Sequence, residues 1–196
     1  MSSPDLRKEL HIMTKEFAVT DHPRRLNSIS EEHPNSIEIL ECDVPLDCRC
    51  LSYALGLAQN DEYVKIQRSS KDTIGIKLFA GEEYIKWLLK RGSLEERPKS
   101  ETKEGDLILY FDANEWKHAG SVKQFDRVIS KWGEGLLYKH ALLEAPINYG
   151  SEIRCYKPLE GEDSYQLFKQ FVVEKTVTCG SDKLSWWLSQ CGITSQ

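Results

Sequence analysis

No stretch of this chain approaches the roughly 18 consecutive apolar residues that a bilayer-spanning helix needs. The opening MSSPDLRKELHIMTKEF has neither the apolar run nor the small-residue cleavage site of a secretory signal. Both absences predict a cytoplasmic protein with no membrane partner, unless a specialised system that reads no such signal secretes it. An excess of one charge is lacking too. The chain sets 26 Lys and Arg against 31 Asp and Glu, a formal net charge of -5 with no basic stripe. Nucleic acid is therefore not an expected partner, because gripping a phosphate backbone requires clustered cations. There is no C-x-x-C, and the five histidines do not fall at H-x(3–5)-H spacing, so no metal site is expected. The six cysteines (42, 48, 50, 155, 179 and 191) could form three disulfides only in an oxidising compartment, and in a cytoplasmic chain they read as free thiols.

What is present suits one compact domain with extensions. The chain has 196 residues, of which 40% are hydrophobic and 29% charged, enough to bury a core. Residues 1–40 mix charge with Pro23, Pro34 and several Ser and Asn, and read as an irregular or partly helical arm that wraps the core. Residues 41–158 read as the core itself, and 159–196 as a helical extension. Within the core, Cys50, Leu51, Ala54, Leu55 and Ala58 fall at helical spacing, predicting a helix from Cys48 to about Gln59 with Asp47 as its N-cap. GEEYIKWLLKR (81–91) has acid early, base late and Gly92 as its stop, a second helix. LILYF (107–111), WKHAGSV (116–122), RVISKW (127–132) and EIRCYK (152–157) are rich in β-branched and aromatic residues and read as strands, the first two forming a hairpin. SYQLFKQFVVEK and DKLSWWLSQC read as C-terminal helices. Trp186 and Trp187, adjacent on the second, point about 100° apart, so one of them is expected at a surface. The order predicts an α+β domain built on a mostly antiparallel sheet.

The stretch LDCRCLSYALG (46–56) raises the question of chemistry, because it sets two thiols at a helix start. Unpaired N–H groups and the helix dipole at that position favour a thiolate, although a free cysteine is more often a small apolar filler. A general base could come from His118, with Trp116, Gly120 and Val122 expected on its face by period-two alternation. Ser130, twelve residues later on the neighbouring strand, could orient the imidazole. A lone strand histidine is more often structural.

GDLILYFDANEWKHAGSV (105–122) resembles part of the signature of the NlpC-type papain-like peptidase superfamily. There a Gly-Asp-Leu strand precedes a strand carrying the catalytic His before a small residue and Gly. LDCRCLSYALG is similar to the superfamily's Asp-Cys helix start. The ordered set CLSYALG, HAGSV, VISKWGEG, KHALLEAPINYG and EIRCYK is similar to a largely uncharacterised bacterial group of that superfamily. The likeness spans residues 47 to 158. It implies a papain-like fold in which a Cys-bearing helix packs on a sheet bearing His, and a cysteine amidase or peptidase that needs no cofactor. Its substrate would be a peptide or other amide, such as a cell-wall peptide or a target protein. In the wider superfamily's register the nucleophile is Cys48. In the closer group's register it is Cys50, with Tyr53 and Gly56 following, and this is the favoured assignment. Arg49 stands where the closer group often has Asn. His118 falls on the base and Ser130 on the third position, for which His140 is the substitute. Lys131 and Trp132 could shape the cleft. A non-catalytic binding module on the same fold, or an acyltransferase or deamidase using the same dyad, is the alternative.

Overall fold

A computed structural model describes residues 3–41, 48–124, 126–159, 161–176 and 184–193. The arm is more regular than its composition suggests. Helix α1 (Pro4–Glu16) starts on Ser3, whose hydroxyl accepts the Asp5 N–H at 3.2 Å, and has Pro4 in its first turn, where a missing N–H costs nothing. Helix α2 (His22–Glu32) and strand β1 (Glu38–Leu40) follow. The helical signal was obscured because both helices are polar overall, with only a narrow apolar stripe.

The region with thiols begins with α3 (Cys50–Ala54), which is far shorter than the predicted 48–59 helix. Gly56 adopts φ +68°, a left-handed conformation that glycine enters without steric cost, and the chain continues as a 3-10 turn over Leu57–Gln59. The expected cap, Asp47, lies outside the described residues. Ser52 fulfils a capping role from inside the helix, since its Oγ accepts the Arg49 N–H at 3.0 Å and donates to the Arg49 carbonyl at 3.0 Å. Helices α4 (Asp61–Ile74), capped by Asn60, and α5 (Glu82–Lys90) come next, the latter close to its predicted limits.

A seven-stranded sheet runs in the order β1-β6-β5-β4-β3-β7-β2, and every pairing is antiparallel. Its remaining members are β2 (Glu96–Arg97), β3 (Leu107–Asp112), β4 (Glu115–Gln124), β5 (Arg127–Lys131), β6 (Leu137–Ala141) and β7 (Glu152–Tyr156). Strands β3 and β4 form the expected hairpin, and Ala113 and Asn114 both take positive φ, as a twist-matched two-residue turn requires. Strands β1, β2 and β6 escape a sequence reading because each is short or charged.

The α+β class holds, with helices on both faces of the sheet. On one face α3, α4, α5, α6 (Gly161–Thr176) and α7 (Leu184–Gln190) pack on Leu107, Leu109, Phe111 and Ala119 in the largest core. The C-terminal helices belong to this core: Tyr165, Phe168, Phe171 and Trp187 are buried there, while Trp186 is 61% exposed. On the other face Leu6, Leu10, Met13, Leu26 and Ile29 of the first two helices cover Trp132, Tyr138 and Tyr149. The arm thus wraps the core as an ordered layer. Among the described residues no helix is long and apolar enough to cross a membrane.

One register detail corrects the sequence reading of β4. A bulge between Tyr110 and Phe111 sets Tyr110 opposite His118 but Phe111 opposite Trp116. Directly opposed residues share a face, so Trp116 joins the helix-covered face with Phe111, whereas His118, Gly120 and Val122 turn to the other.

Candidate functional site

The two thiols of the DCRC stretch diverge. Cys48 is buried with its Sγ 3.4 Å from Ser52 Oγ and 3.4 Å from the Arg49 carbonyl. It is a packed thiol turned toward α3. Cys50 is half-buried at the first position of α3, which packs against both β4 and β5. Its sulfur lies against the Ala119 backbone, in a contact that favours the thiolate and must therefore come from the Ala119 N–H. Ala119 directly follows His118, so the sulfur reaches β4 one residue from the candidate base.

Cys50 and His118 approach β4 from different sides. Cys50 packs with the helix-covered core, whereas His118 is buried on the opposite face, stacked on Tyr149 with ring centroids 3.9 Å apart and planes within 12°. Tyr149 lies within electrostatic reach of Cys50, since a charge on that sulfur would push its phenol further up. The Nε2 of His118 is buried without a hydrogen-bond partner among the described residues, so sulfur and Nε2 are not hydrogen-bonded. A buried polar atom of this kind is costly to leave unpaired, and His22 Nε2 and the Tyr110 hydroxyl share that condition.

Electrostatics run against the expected thiolate. Burial pushes the Cys50 thiol up to about 11, and the favourable contacts with the Ala119 and Leu51 backbone and the Arg49 charge do not overcome it. Desolvation dominates because the five-residue α3 supplies only a weak dipole and the sulfur sees little water. Burial, assisted by the nearby His140, also holds His118 well below the ordinary imidazole range. At neutral pH the pair is an uncharged thiol and an uncharged imidazole, not an ion pair.

Ser130 and His140 share the face of His118 but bond to each other. His140 Nδ1 donates to the Ala141 carbonyl at 2.8 Å, which leaves Nε2 as the acceptor of the neutral ring. Ser130 Oγ lies 2.7 Å from that Nε2, and so donates to it, while it accepts the Trp132 Nε1–H at 2.9 Å. The hydroxyl proton is therefore committed to His140, and Ser130 has only a lone pair left for His118. Trp132 is buried and stacked on Tyr138 at 4.0 Å, and Lys131 donates to the Gly135 carbonyl, so both serve packing and not a cleft. Gly120 is required here, because a Cβ would lie 2.4 Å from Val128 Cγ1 and 3.0 Å from Ser130 Cβ.

Sequence reasoning missed Tyr149. Its tyrosine-glycine pair lies inside KHALLEAPINYG, but no periodicity in that loop points to a ring stacked on a histidine some thirty residues away. A cavity of about 360 Å³ lies along the same α3–β4 seam, lined by Tyr53, Ala54, Gly56, Gln59, Ser121 and Leu159 among others. Tyr53 and Ala54 follow Cys50 by three and four residues on α3, but neither Cys50 nor His118 lines this cavity. Among the described residues no group of three or more His, Cys, Asp or Glu converges as a metal site. No protein-family model matches the chain, and no curated protein or solved structure matches it.

Proposed function

We propose that the chain is a cysteine hydrolase of papain-like architecture that cleaves an amide bond, with Cys50 as nucleophile and His118 as base. The observation that carries this reading is the Cys50 sulfur, held at the start of a helix against the backbone residue that follows a buried histidine with a free Nε2. Both groups rest neutral and unbonded to each other, so catalysis requires the imidazole to move within hydrogen-bond reach of the sulfur, after which the thiol proton passes to His118 as the sulfur attacks the carbonyl carbon. The imidazolium then gives that proton to the departing amine, leaving a thioester on Cys50. Water, deprotonated by His118, hydrolyses the thioester and restores the thiol. The Cys50 N–H, which sits in the first turn of α3 without an intrahelical acceptor, is available to the developing oxyanion. Tyr149 shields the reacting groups from water. The cavity beside α3 is lined by no charged side chain, which favours an uncharged substrate segment there.

The second reading is a binding module on the same fold, favoured by the raised thiol and by the missing bond to His118 Nε2. Covalent trapping separates the two. The protein is incubated with an activated acyl ester between pH 7 and 9, and intact and peptide mass spectrometry follow. The hydrolase reading expects an acyl group on Cys50 that hydroxylamine removes, and its loss in Cys50→Ala and sharp slowing in His118→Ala. Acylation of Cys50 at the same rate with and without His118, or none at all, would leave the binding module as the better reading.

A further inference from the structure

Arg7 of α1 is 8% exposed, and among the described residues no carboxylate pairs with it. Its Nε donates to the Ala145 carbonyl at 3.1 Å and its second terminal nitrogen to the Gly150 carbonyl at 2.5 Å. Those carbonyls bracket the 3-10 turn Ile147–Tyr149, which Pro146 introduces and Gly150 ends. Gly150 has φ +89°, and a Cβ there would lie 2.2 Å from the Phe111 carbonyl oxygen, so the turn's exit is pressed on β3. The outer side of the turn meets water, with Ile147 at 40% exposure, while Tyr149 covers His118 from within. An apolar side chain would pack at this place at lower cost than a buried guanidinium, whose planar fork here spans two carbonyls.

We propose that α1 acts as a clasp, in which Arg7 holds the 145–150 loop closed so that Tyr149 stays stacked on His118 and keeps the imidazole oriented and screened from water. Arg7 and Tyr149 are thus positioning residues. Their meaning for catalysis rests on the hydrolase reading, but the clasp is a physical claim that stands apart from it. Besides Tyr149, the titratable groups that face His118 are Tyr110 from β3, at 5.6 Å between centroids, and His140 from β6, with Arg7 beyond Tyr110 and Cys50 across β4 on the other face. Burial raises both tyrosines and the thiol, so none carries charge near neutral pH. Water reached by opening the loop is therefore the change that His118 would register most.

The test is a histidine side-chain NMR titration of the full chain. In Arg7→Met, which keeps the aliphatic stem and loses the donors, and in Tyr149→Ala, the His118 midpoint should rise toward the ordinary imidazole range. Arg7→Lys, able to reach one carbonyl only, should give a smaller rise, and Tyr149→Phe should give none. His22 of α2, whose Nδ1 lies 2.6 Å from the Tyr138 hydroxyl, should titrate unchanged and so reports that the α1–α2 layer remains docked. A His118 midpoint that stays put in both Arg7 variants while Tyr149→Ala moves it would overturn the clasp, as would a parallel shift of His22. If His118 responds as stated while Cys50 is never acylated, the clasp stands and the hydrolase reading fails.

Discussion

Lowering the pH from 7 to 5 should destabilise this fold, and the share due to His140 can be worked out. Its imidazole is buried in β6, and burial outweighs the favourable Ala141 carbonyl, so its pKa falls from the ordinary 6.5 to about 4. The folded protein keeps this ring neutral down to about pH 4, whereas the unfolded chain takes up the proton near 6.5. Between those values the unfolded state binds more protons, so the stabilisation is complete above 6.5 and is lost progressively as the pH falls through that window. At about 1.4 kcal/mol per unit, His140 alone costs about 2 kcal/mol between pH 7 and pH 5, and about 3 kcal/mol by pH 4. His118 and His22, both lowered by burial, act in the same direction. For a urea slope of about 2 kcal/mol per molar, the His140 share lowers the unfolding midpoint by about 1 M between the two pH values. Urea titrations followed by circular dichroism at pH 7 and pH 5 measure this. His140→Gln, less stable at pH 7, should show a drop smaller by that same share. Equal midpoints for the wild type at both pH values, or an undiminished drop in His140→Gln, would refute the reasoning.

Alkylation of Cys50 by iodoacetamide should be slow at pH 7 and accelerate about tenfold per unit toward pH 10, because the thiol is held near 11. A rate plateau below pH 8, read by peptide mass spectrometry, would show a lowered thiol instead. Ser130→Ala should cost about 2–3 kcal/mol in urea unfolding, since it leaves the buried Trp132 N–H and His140 Nε2 without partners. Cys50 acylation should persist in this variant, because Ser130 donates its proton to His140 and not to His118; loss of acylation in a folded Ser130→Ala protein would restore Ser130 as the orienting residue.

Much of the scaffold was legible in the residue order because it is written in local chemistry. Alternating β-branched and aromatic residues marked β3, β4, β5 and β7, and acid-to-base order with a terminal glycine marked α5. The arm is more helical than its composition suggests, since α1 and α2 carry their apolar residues in a stripe that only docking on Trp132 and Tyr138 makes meaningful. The α3 helix is shorter than its pattern, because helical spacing continues past Gly56 while the backbone turns left-handed there.

Sequence by itself determined the central strands, α5 and the C-terminal helices, and which residue types stand ready for chemistry: two thiols at a helix start, one histidine before Ala-Gly on a strand, and a serine on the next. Tertiary structure alone decided their state. A one-residue bulge separated His118 from the face of Trp116, the insertion of α3 brought Cys50 rather than Cys48 to Ala119, and burial left both the thiol and the imidazole uncharged. Pairing across a sheet and the loss of water are properties of neighbours far apart in the chain, and pKa values follow water and neighbouring charge rather than residue order. The same distance hid the link between Arg7 and the loop carrying Tyr149, which meet only because α1 folds back over the sheet.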